Sequence, residues 1–413
     1  MTKGPAASTY QAKLLVAFMW VAYFLNYSDR QTVFSMFPSL KADLNMTDEQ
    51  LGLLGTIFLW VYAISCPIAG YFADRFSKRI LIILSLVIWS IVTMATGFAE
   101  STAIILSLRA MMGISESMFM PTAIALTSNA HPPSLRSRAI AILTTAQIVG
   151  TVAGSWFGGW MADRGQWRNA FLILGIVGLL YTVPYFFFLR KVNEVKSFES
   201  NTSFRKSGFP VLIRVQTFLL LCIVFPIFVF GLWLLYGWFP TFLHDKFSLN
   251  QSDAALNATI FVQGATLIGL LGGGLIADVL YRHTKASRLW LITASLILCA
   301  PFLHALGNSD TLNATRIAAT GFGLFSGLMM GNIFPAAFDV VPADTRASAV
   351  GVLNFFGAIM SGFATLFGGI WKQSFGIDRL LSMTALAYVV AGIALIFGIK
   401  KLFSKDYKTE DFN

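Results

Sequence analysis

Long runs of apolar residues recur along the whole chain and are separated by short polar stretches. Each run reaches about 20 residues, the length that a helix needs to cross the hydrocarbon core of a bilayer. The runs predict twelve helical spans, numbered 1 to 12, at about residues 13–37, 51–72, 79–98, 102–128, 138–161, 168–189, 211–241, 255–278, 288–307, 311–338, 346–371 and 379–402. The pattern therefore predicts an all-α membrane protein.

The composition agrees with this prediction, because apolar residues make up 56% of the 413 residues and charged residues only 12%. A soluble domain carries about twice that share of charge. The three cysteines fall within predicted spans and form no paired motif, so we expect neither a disulfide nor a metal site. No phosphate-binding loop, zinc-protease motif or nucleophile elbow occurs. We therefore expect no cofactor, no ATP drive and no hydrolytic enzyme.

One polar stretch is longer than the others and divides six spans from six. Residues 190–210 are rich in Lys, Ser and Asn, which is typical of a linker. We predict an amino-terminal six-helix bundle over residues 1–189, a linker over 190–210, and a carboxyl-terminal bundle over 211–413 with a short tail.

The basic residues are distributed unevenly between the two sides of the predicted membrane. Of the 30 Lys and Arg residues, 21 lie in the two tails, the linker and the loops on that same side, and only 6 lie on the other side. Loops rich in Lys and Arg stay in the cytoplasm. We therefore expect both termini and the linker to be cytoplasmic, and the net charge of +10 to reflect topology rather than nucleic-acid binding.

The two halves carry matching marks in the same order. Gly70–Asp74 at the end of span 2 corresponds to Gly274–Asp278 at the end of span 8, with an offset of 204 residues. Arg136, which precedes span 5, and Gly158, which lies within it, correspond to Arg346 and Gly368 at span 11, with an offset of 210. Repeats in the same orientation predict two parallel six-helix repeats, an arrangement used by secondary transporters.

Span 1 contains a polar stretch, Asn26-Tyr27-Ser28-Asp29-Arg30, within an otherwise apolar run. Charged residues at membrane depth are costly and usually mark ion or substrate pathways. Neighbours on a helix point about 100° apart, so Asp29 and Arg30 face different surroundings, and Arg30 shares a face with Tyr27 and Asn26. We expect one face to meet a solute and the other a proton. The alternative is a structural ion pair that holds helices together.

Span 4 carries a second charged pair, Arg109 and Glu116, seven residues apart on one helical face. Burial disfavours the charged form of a carboxyl group, so Glu116 is a candidate proton carrier. The alternative is a buried salt bridge from Glu116 to Arg109 or Arg30. The position in span 10 that corresponds to Glu116 is Met330, which places the charged machinery in the amino-terminal half.

The turn between spans 2 and 3 resembles the signature loop of the major facilitator superfamily. Its residues are Gly70, Asp74, Arg75, Lys78 and Arg79. A degraded copy after span 8 keeps Asp278 and has Arg282 in the place of Lys78. The resemblance covers essentially the whole chain and implies the major facilitator fold. It also implies that Gly70, Asp74, Arg75, Arg79 and Asp278 stabilise one conformation of the carrier and do not bind the solute.

Four further patterns resemble the anion:cation symporter group of that superfamily, which includes permeases for sugar acids. They are N-Y-x-D-R in span 1, R-x-x-x-G-x-x-E in span 4, Trp238-Phe239-Pro240-Thr241-Phe242-Leu243 at the end of span 7, and Asn354-Phe355-Phe356-Gly357 in span 11. The resemblance implies that Asp29 and Glu116 are protonation sites, with Arg109 in the charge network. It further implies that Tyr27, Arg30, Gln147 and Asn354 contact the solute. The chain departs from the group at Ser117–Pro121, where Ala-Pro is usual, which leaves the pocket shape there open.

Spinster-like carriers of lysolipids or sphingoid lipids share the patterns of spans 1 and 4 and are the alternative family. The pattern at the end of span 7 favours the organic-anion group. We predict a monomeric symporter of a small organic anion such as an aldonate or uronate, working by alternating access in a bacterial inner membrane. The coupling ion is expected to be a proton, with sodium as the alternative. A non-transporting receptor on the same fold and a membrane enzyme are the remaining hypotheses, and the retained acids favour transport.

Overall fold

The structure is a computed structural model that describes residues 9–192, 209–342 and 345–407, and these are helical with short turns between the helices. The twelve predicted spans all appear. Their bounds are Thr9–Ser35, Asp48–Arg75, Lys78–Thr96, Thr102–Ala130, Pro133–Ala162, Trp167–Arg190, Gln216–Phe247, Gln251–Tyr281, Ser287–Asn308, Leu312–Phe338, Arg346–Phe375 and Ile377–Gly398. Short helices cover Phe37–Leu44 and Phe209–Leu212, and a π-helical turn, Ile399–Phe403, leads into Ser404–Asp406.

Eleven of the described helices are long and apolar enough to cross a membrane. The long helix outside that set is span 1, Thr9–Ser35, which holds Lys13, Asp29 and Arg30. The helical membrane architecture predicted from the apolar runs is confirmed. The polar stretch of span 1 is therefore the exception that needs a functional explanation.

Local chemistry explains the start of span 2 and the break within span 4. Span 2 starts with a capping box, in which the Thr47 hydroxyl accepts from the Gln50 N–H at 3.2 Å and the Gln50 side chain accepts from the Thr47 N–H at 3.0 Å. Span 4 was predicted as one helix, but it is interrupted at Met118. Pro121 has no N–H to donate to the Ser117 carbonyl, which removes a helical hydrogen bond at this point.

The chain divides into two compact units. The first comprises Met1–Ser203 with Leu243–Leu256, and the second comprises Phe204–Phe242 with Asn257–Asn413. In the first unit, the Asp163 carboxylate accepts from the backbone N–H groups of Gln251, at 2.6 Å, and Ser252, at 2.9 Å. The predicted linker, 190–210, lies largely outside the described residues.

Close helix contacts at glycines occur within corresponding pairs of spans in the two units. A Cβ atom added at Gly113 in span 4 would lie 2.8 Å from the Phe58 carbonyl oxygen in span 2. A Cβ atom at Gly323 in span 10 would collide with the Val262 carbonyl oxygen in span 8. Spans 2 and 4 of the first unit correspond to spans 8 and 10 of the second, so the two units pack corresponding helices together at a glycine.

Spans 1 and 5 approach closely along the glycine row of span 5. A Cβ atom at Gly150 would lie 2.6 Å from the Phe24 carbonyl oxygen, and one at Gly154 would overlap the backbone of Ser28. The Thr32 hydroxyl donates to the Gly154 carbonyl at 3.0 Å. Small residues four apart allow such packing in membranes. This packing fixes the position of the polar stretch of span 1.

Candidate functional site

The centre of the site is an ion pair between span 1 and span 4. The Arg30 Nε–H donates to Glu116 Oε2 at 2.5 Å, and both residues are buried, with 5% and 0% of their surface exposed. Among the described residues, no group accepts from Arg30 Nη2 and none donates to Glu116 Oε1. The pair is therefore joined by a single hydrogen bond, although a guanidinium and a carboxylate can form two.

Three aromatic rings enclose the Arg30 guanidinium. Its Cζ lies 4.9 Å from the ring centroid of Tyr27, 5.0 Å from that of Phe58 and 4.7 Å from that of Tyr62. A cation over an aromatic face is stabilised by the ring quadrupole, and more strongly where water is excluded. The rings therefore help to hold a charged arginine at membrane depth.

Asp29 and Arg109 are buried close to this pair but have different partners. Asp29 Oδ2 accepts from the Thr93 hydroxyl at 3.2 Å, and no described group donates to its Oδ1. Arg109 lies over Phe58, at 4.9 Å from the ring centroid, and its Nε–H donates to the Leu54 carbonyl at 3.4 Å. Arg30 thus pairs with Glu116 and not with its sequence neighbour. Of the salt bridges foreseen for Glu116, the one to Arg30 is formed.

Gln147 joins the site through another tyrosine. The Tyr23 hydroxyl donates to Gln147 Oε1 at 3.1 Å, and the Tyr23 ring meets the Tyr27 ring edge-on at 5.0 Å. Gln147 and Tyr27 are each half-buried. Two of the predicted solute residues, Tyr27 and Gln147, therefore both contact the buried Tyr23 in the first unit. Asn354 belongs to the second unit, where it is exposed on the helix Arg346–Phe375.

The signature-loop residues lie apart from this site. The Arg79 Nη1 donates to the Val192 carbonyl at 3.0 Å, and Arg75 lies over Tyr71 at 3.7 Å from the ring centroid. A Cβ atom added at Gly70 would meet nothing within 4 Å. Asp278 is exposed. The side chain of Asp74 lies outside the described part of the chain.

Sequence reasoning missed Phe58, Tyr62 and Thr93, which line the site from spans 2 and 3. Aromatic residues in apolar spans are usually core or interface residues, and nothing in the spacing of Phe58 and Tyr62 distinguishes them. In the second unit, the indole N–H of Trp238 donates to the Thr365 carbonyl at 2.8 Å. The span 7 motif therefore has a packing role at that residue. In the described ranges no cluster of three or more His, Cys, Asp or Glu residues suits a metal ion.

The family model described as Major Facilitator Superfamily matches residues 19–365. This chain belongs to the major facilitator superfamily. Membership in this superfamily confirms the predicted fold and the prediction of a transporter rather than an enzyme.

Several superfamily members resemble this chain over almost its whole length. The hexuronate transporter of Bacillus subtilis is 24% identical and covers 97% of both sequences. A probable sulfoacetate transporter of Cupriavidus necator is 26% identical, over 91% of this chain and 87% of its own. The crystal structure of a bacterial homologue of the human lysosomal transporter Spinster, inward-facing and unoccupied, superposes with a TM-score of 0.85 at 21% identity, covering 98% of this chain and all of its own. That last similarity concerns the fold alone.

Proposed function

We propose that this superfamily member is a proton-coupled carrier of a small organic anion of the sugar-acid class. The observation that carries the proposal is the environment of Arg30, which is a buried cation ringed by Tyr27, Phe58 and Tyr62. One of its N–H groups binds Glu116, while Nη2 has no described acceptor. A carboxylate leaving water needs replacement hydrogen bonds, and a guanidinium supplies two in a fixed fork.

The relatives support the anionic class of substrate. Hexuronate and sulfoacetate, which appear in the names of two relatives, are both small organic anions. A carrier for such solutes needs a positive group that is shielded from bulk water. Arg30 meets that requirement, because its side chain is only 7% exposed.

In this proposal, proton coupling results from competition between Glu116 and the carboxylate of the solute for Arg30. An ionised Glu116 accepts from the Arg30 Nε–H and lowers the free energy of the empty carrier. A protonated Glu116 has no negative charge to offer, so the guanidinium becomes available to the carboxylate of the solute. Binding of a proton and binding of an anion therefore favour each other, and the coupling free energy is the same in both directions.

The remaining roles are proposed from position and from the family resemblance. Tyr27 and Gln147 would contact the polar groups of the solute, and Asn354 is carried over from the resemblance. Asp29 would be a second protonation site, since it is buried and only one of its oxygens accepts a described hydrogen bond. Arg109 would complete the charge network. Sodium is the alternative coupling ion.

A ligand panel on the purified protein tests the substrate class. We expect glucuronate to raise the melting temperature, since a ligand that binds only the native state stabilises it by mass action. Glucose, which is similar in size but uncharged, should have a much smaller effect. Equal stabilisation by the two sugars would contradict the role of Arg30. Stabilisation by lysophosphatidylcholine alone would instead favour the lipid-carrier alternative.

We also propose that both termini and the linker face the cytoplasm of a bacterial inner membrane, from the distribution of basic residues. Ser200→Cys, in the predicted linker, tests this orientation in intact cells. A membrane-impermeant maleimide should label the cysteine only after permeabilisation. Rapid labelling of intact cells would reverse the assignment.

A further inference from the structure

A groove lies between spans 3 and 6 in the first unit. None of the residues that line it belongs to the Arg30–Glu116 ion pair or to the rings around Arg30. The two helices touch where a Cβ atom at Gly175 would lie 2.6 Å from the Ser90 carbonyl oxygen. Toward the start of span 3 and the end of span 6, a cavity of about 460 Å³ opens between them. Its lining consists of Ser77, Arg79, Ile80, Ile83, Leu84, Val87, Phe186, Leu189 and Arg190.

The lining changes from basic to apolar along the helices. Arg79 and Arg190 lie at the ends of the two helices, where the basic-residue distribution predicts the cytoplasmic surface. Ile80, Leu84 and Phe186 continue the groove toward the membrane interior, and they are 65%, 45% and 43% exposed. A charged end followed by an apolar wall matches an amphiphile that has an anionic head and a hydrocarbon tail.

Backbone hydrogen bonds hold the basic end in place. The Arg79 Nη1 donates to the Val192 carbonyl at 3.0 Å and lies 3.5 Å from the Arg190 carbonyl. These bonds hold the Arg79 guanidinium against the backbone at the end of span 6, and the Arg190 guanidinium lies over the Phe186 ring, at 5.8 Å from its centroid. The Arg190 side chain is exposed and forms no ion pair with a carboxylate in the described ranges. Both arginines line the groove, and an anion at this end of it would be attracted by their positive charges.

We infer that this groove binds an anionic phospholipid from the cytoplasmic leaflet, with its phosphate at Arg190 and Arg79 and one acyl chain along Ile80, Leu84 and Phe186. Basic pockets between membrane helices at the cytoplasmic side are suited to anionic headgroups. A zwitterionic lipid would fill the apolar wall equally well but would bring its own cation to the two arginines. The charge of the headgroup therefore determines the preference.

Native mass spectrometry of the detergent-purified protein, titrated with phosphatidylglycerol or with phosphatidylcholine of the same acyl chains, tests the inference. We expect one phosphatidylglycerol molecule to bind with a Kd about ten-fold lower than that of phosphatidylcholine. Arg190→Gln should raise the Kd for phosphatidylglycerol about ten-fold, since it removes a charge-assisted hydrogen bond to the phosphate. Arg214→Gln, at another exposed arginine of the predicted cytoplasmic face, is the matched control and should leave the Kd unchanged.

Two residues of span 3 provide a test variant and a matched control for the apolar wall of the groove. Leu84 and Ile91 lie two turns apart on span 3 and are 45% and 46% exposed, but only Leu84 lines the groove. Leu84→Trp should fill the groove and raise the Kd for phosphatidylglycerol about ten-fold, whereas Ile91→Trp should not change it. Gel filtration and melting temperature establish that each variant is folded.

Three outcomes would overturn the inference. Equal Kd values for the two lipids would show that the headgroup charge is not recognised. Equal effects of Arg190→Gln and Arg214→Gln would show only general attraction to the basic surface. Displacement of the lipid by millimolar inorganic phosphate would indicate a site for free anions rather than for a lipid. None of these readouts depends on the transported solute, so they are independent of the proposed function.

Discussion

Arg30 donates its Nε–H to Glu116 at 2.5 Å, across 86 residues of sequence, and leaves the adjacent Asp29 to a different partner. Breaking a buried ion pair by removing one partner leaves an uncompensated charge, which is strongly destabilising. A second anion that takes the place of Glu116 avoids this cost. The relationship between these two side chains is therefore the basis of the predictions on transport.

Glu116→Gln is expected to abolish accumulation driven by a pH gradient, because an amide cannot release a proton and resembles a permanently protonated acid. Exchange of labelled for unlabelled solute should continue, since Arg30 remains available to the anion. Both activities are measured in proteoliposomes with and without an imposed pH gradient. Accumulation equal to that of the wild type would exclude Glu116 as an essential proton carrier.

Asp29→Asn is the companion variant for the second acid. We expect a smaller loss of coupled accumulation than for Glu116→Gln, because Asp29 forms no described hydrogen bond with Arg30. Loss of exchange together with accumulation would instead assign Asp29 to solute binding or to folding.

Arg30→Lys should weaken binding of the anionic solute about ten-fold or more. The charge is kept, but the fork is lost, and a hydrogen bond to a charged group contributes about 1.5–3 kcal/mol. Arg30→Ala should nearly eliminate binding of the anion and affect a neutral sugar less. Isothermal titration of the purified variants measures both effects.

Arg109→Lys is the matched control for the Arg30 variants. Arg109 is also buried over Phe58, but its Nε–H donates to a backbone carbonyl and not to a carboxylate. The Arg109→Lys substitution should therefore change the stability of the protein more than its preference for anionic over neutral solutes.

A monodisperse Arg30→Ala protein that binds its anion with wild-type affinity would contradict the role of Arg30 in solute binding. Arg30 would then be only a structural counter-ion of Glu116.

Asp43 provides a test of pH dependence outside the membrane spans. Hydrogen bonds from Arg168 and from the Trp167 indole hold the pKa of Asp43 below its ordinary value. A carboxyl whose pKa is lower in the folded state adds stability above its unfolded pKa and loses it as the pH falls through the folded value. The melting temperature of Asp43→Asn should therefore lie below that of the wild type at pH 6, and the difference should shrink as the pH falls below 4.

The size of this difference should be small, because the Asp43 side chain is 47% exposed and solvent screens the ion pair. Asp310→Asn is the control, since Asp310 is exposed and forms no described hydrogen bond. A difference that grows toward low pH would contradict the assigned direction of the pKa shift.

Asp163→Ala should loosen the start of the helix Gln251–Tyr281. Its carboxylate accepts from the N–H groups of Gln251 and Ser252, and loss of such a cap costs about 1 kcal/mol. Amide exchange at these two residues should accelerate about five-fold in hydrogen–deuterium exchange measurements. The Asp253 N–H is an internal control, because it donates to Asn250 Oδ1 at 2.7 Å instead. Equal acceleration at Asp253 would indicate general loosening of the segment.

The number and order of the spans could be predicted because the signal is local. A bilayer requires about 20 apolar residues in each helix, and no distant contact changes that requirement. The repeat was also detectable, since Gly70 with Gly274 and Arg136 with Arg346 occur at regular offsets. The break at Met118 was not foreseen, although Pro121 supplies its physical cause.

For the candidate site, the sequence could predict only which charged residues are costly to bury in the membrane, and not how they pair. Asp29, Arg30, Arg109 and Glu116 were identifiable because charge at membrane depth is rare and expensive. Which acid pairs with which base depends on the rotation of span 1 against span 4, and the sequence left Arg30 and Arg109 as alternative partners of Glu116. Phe58 and Tyr62 escaped prediction, because an aromatic residue that encloses a cation has the same local sequence signal as one in the core.

Hydrophobic length and the cost of burying charge thus determined, from the sequence by itself, a twelve-span helical membrane protein and the polar residues at its centre. Only the tertiary structure decided that Glu116 binds Arg30 and that the Thr93 hydroxyl donates to Asp29. It also decided that Arg79 and Arg190 line one groove between spans 3 and 6. The reason is that propensity and hydropathy act over one or two helical turns. Pairing depends instead on packing between spans, such as the glycine contacts of span 5 that fix the position of span 1.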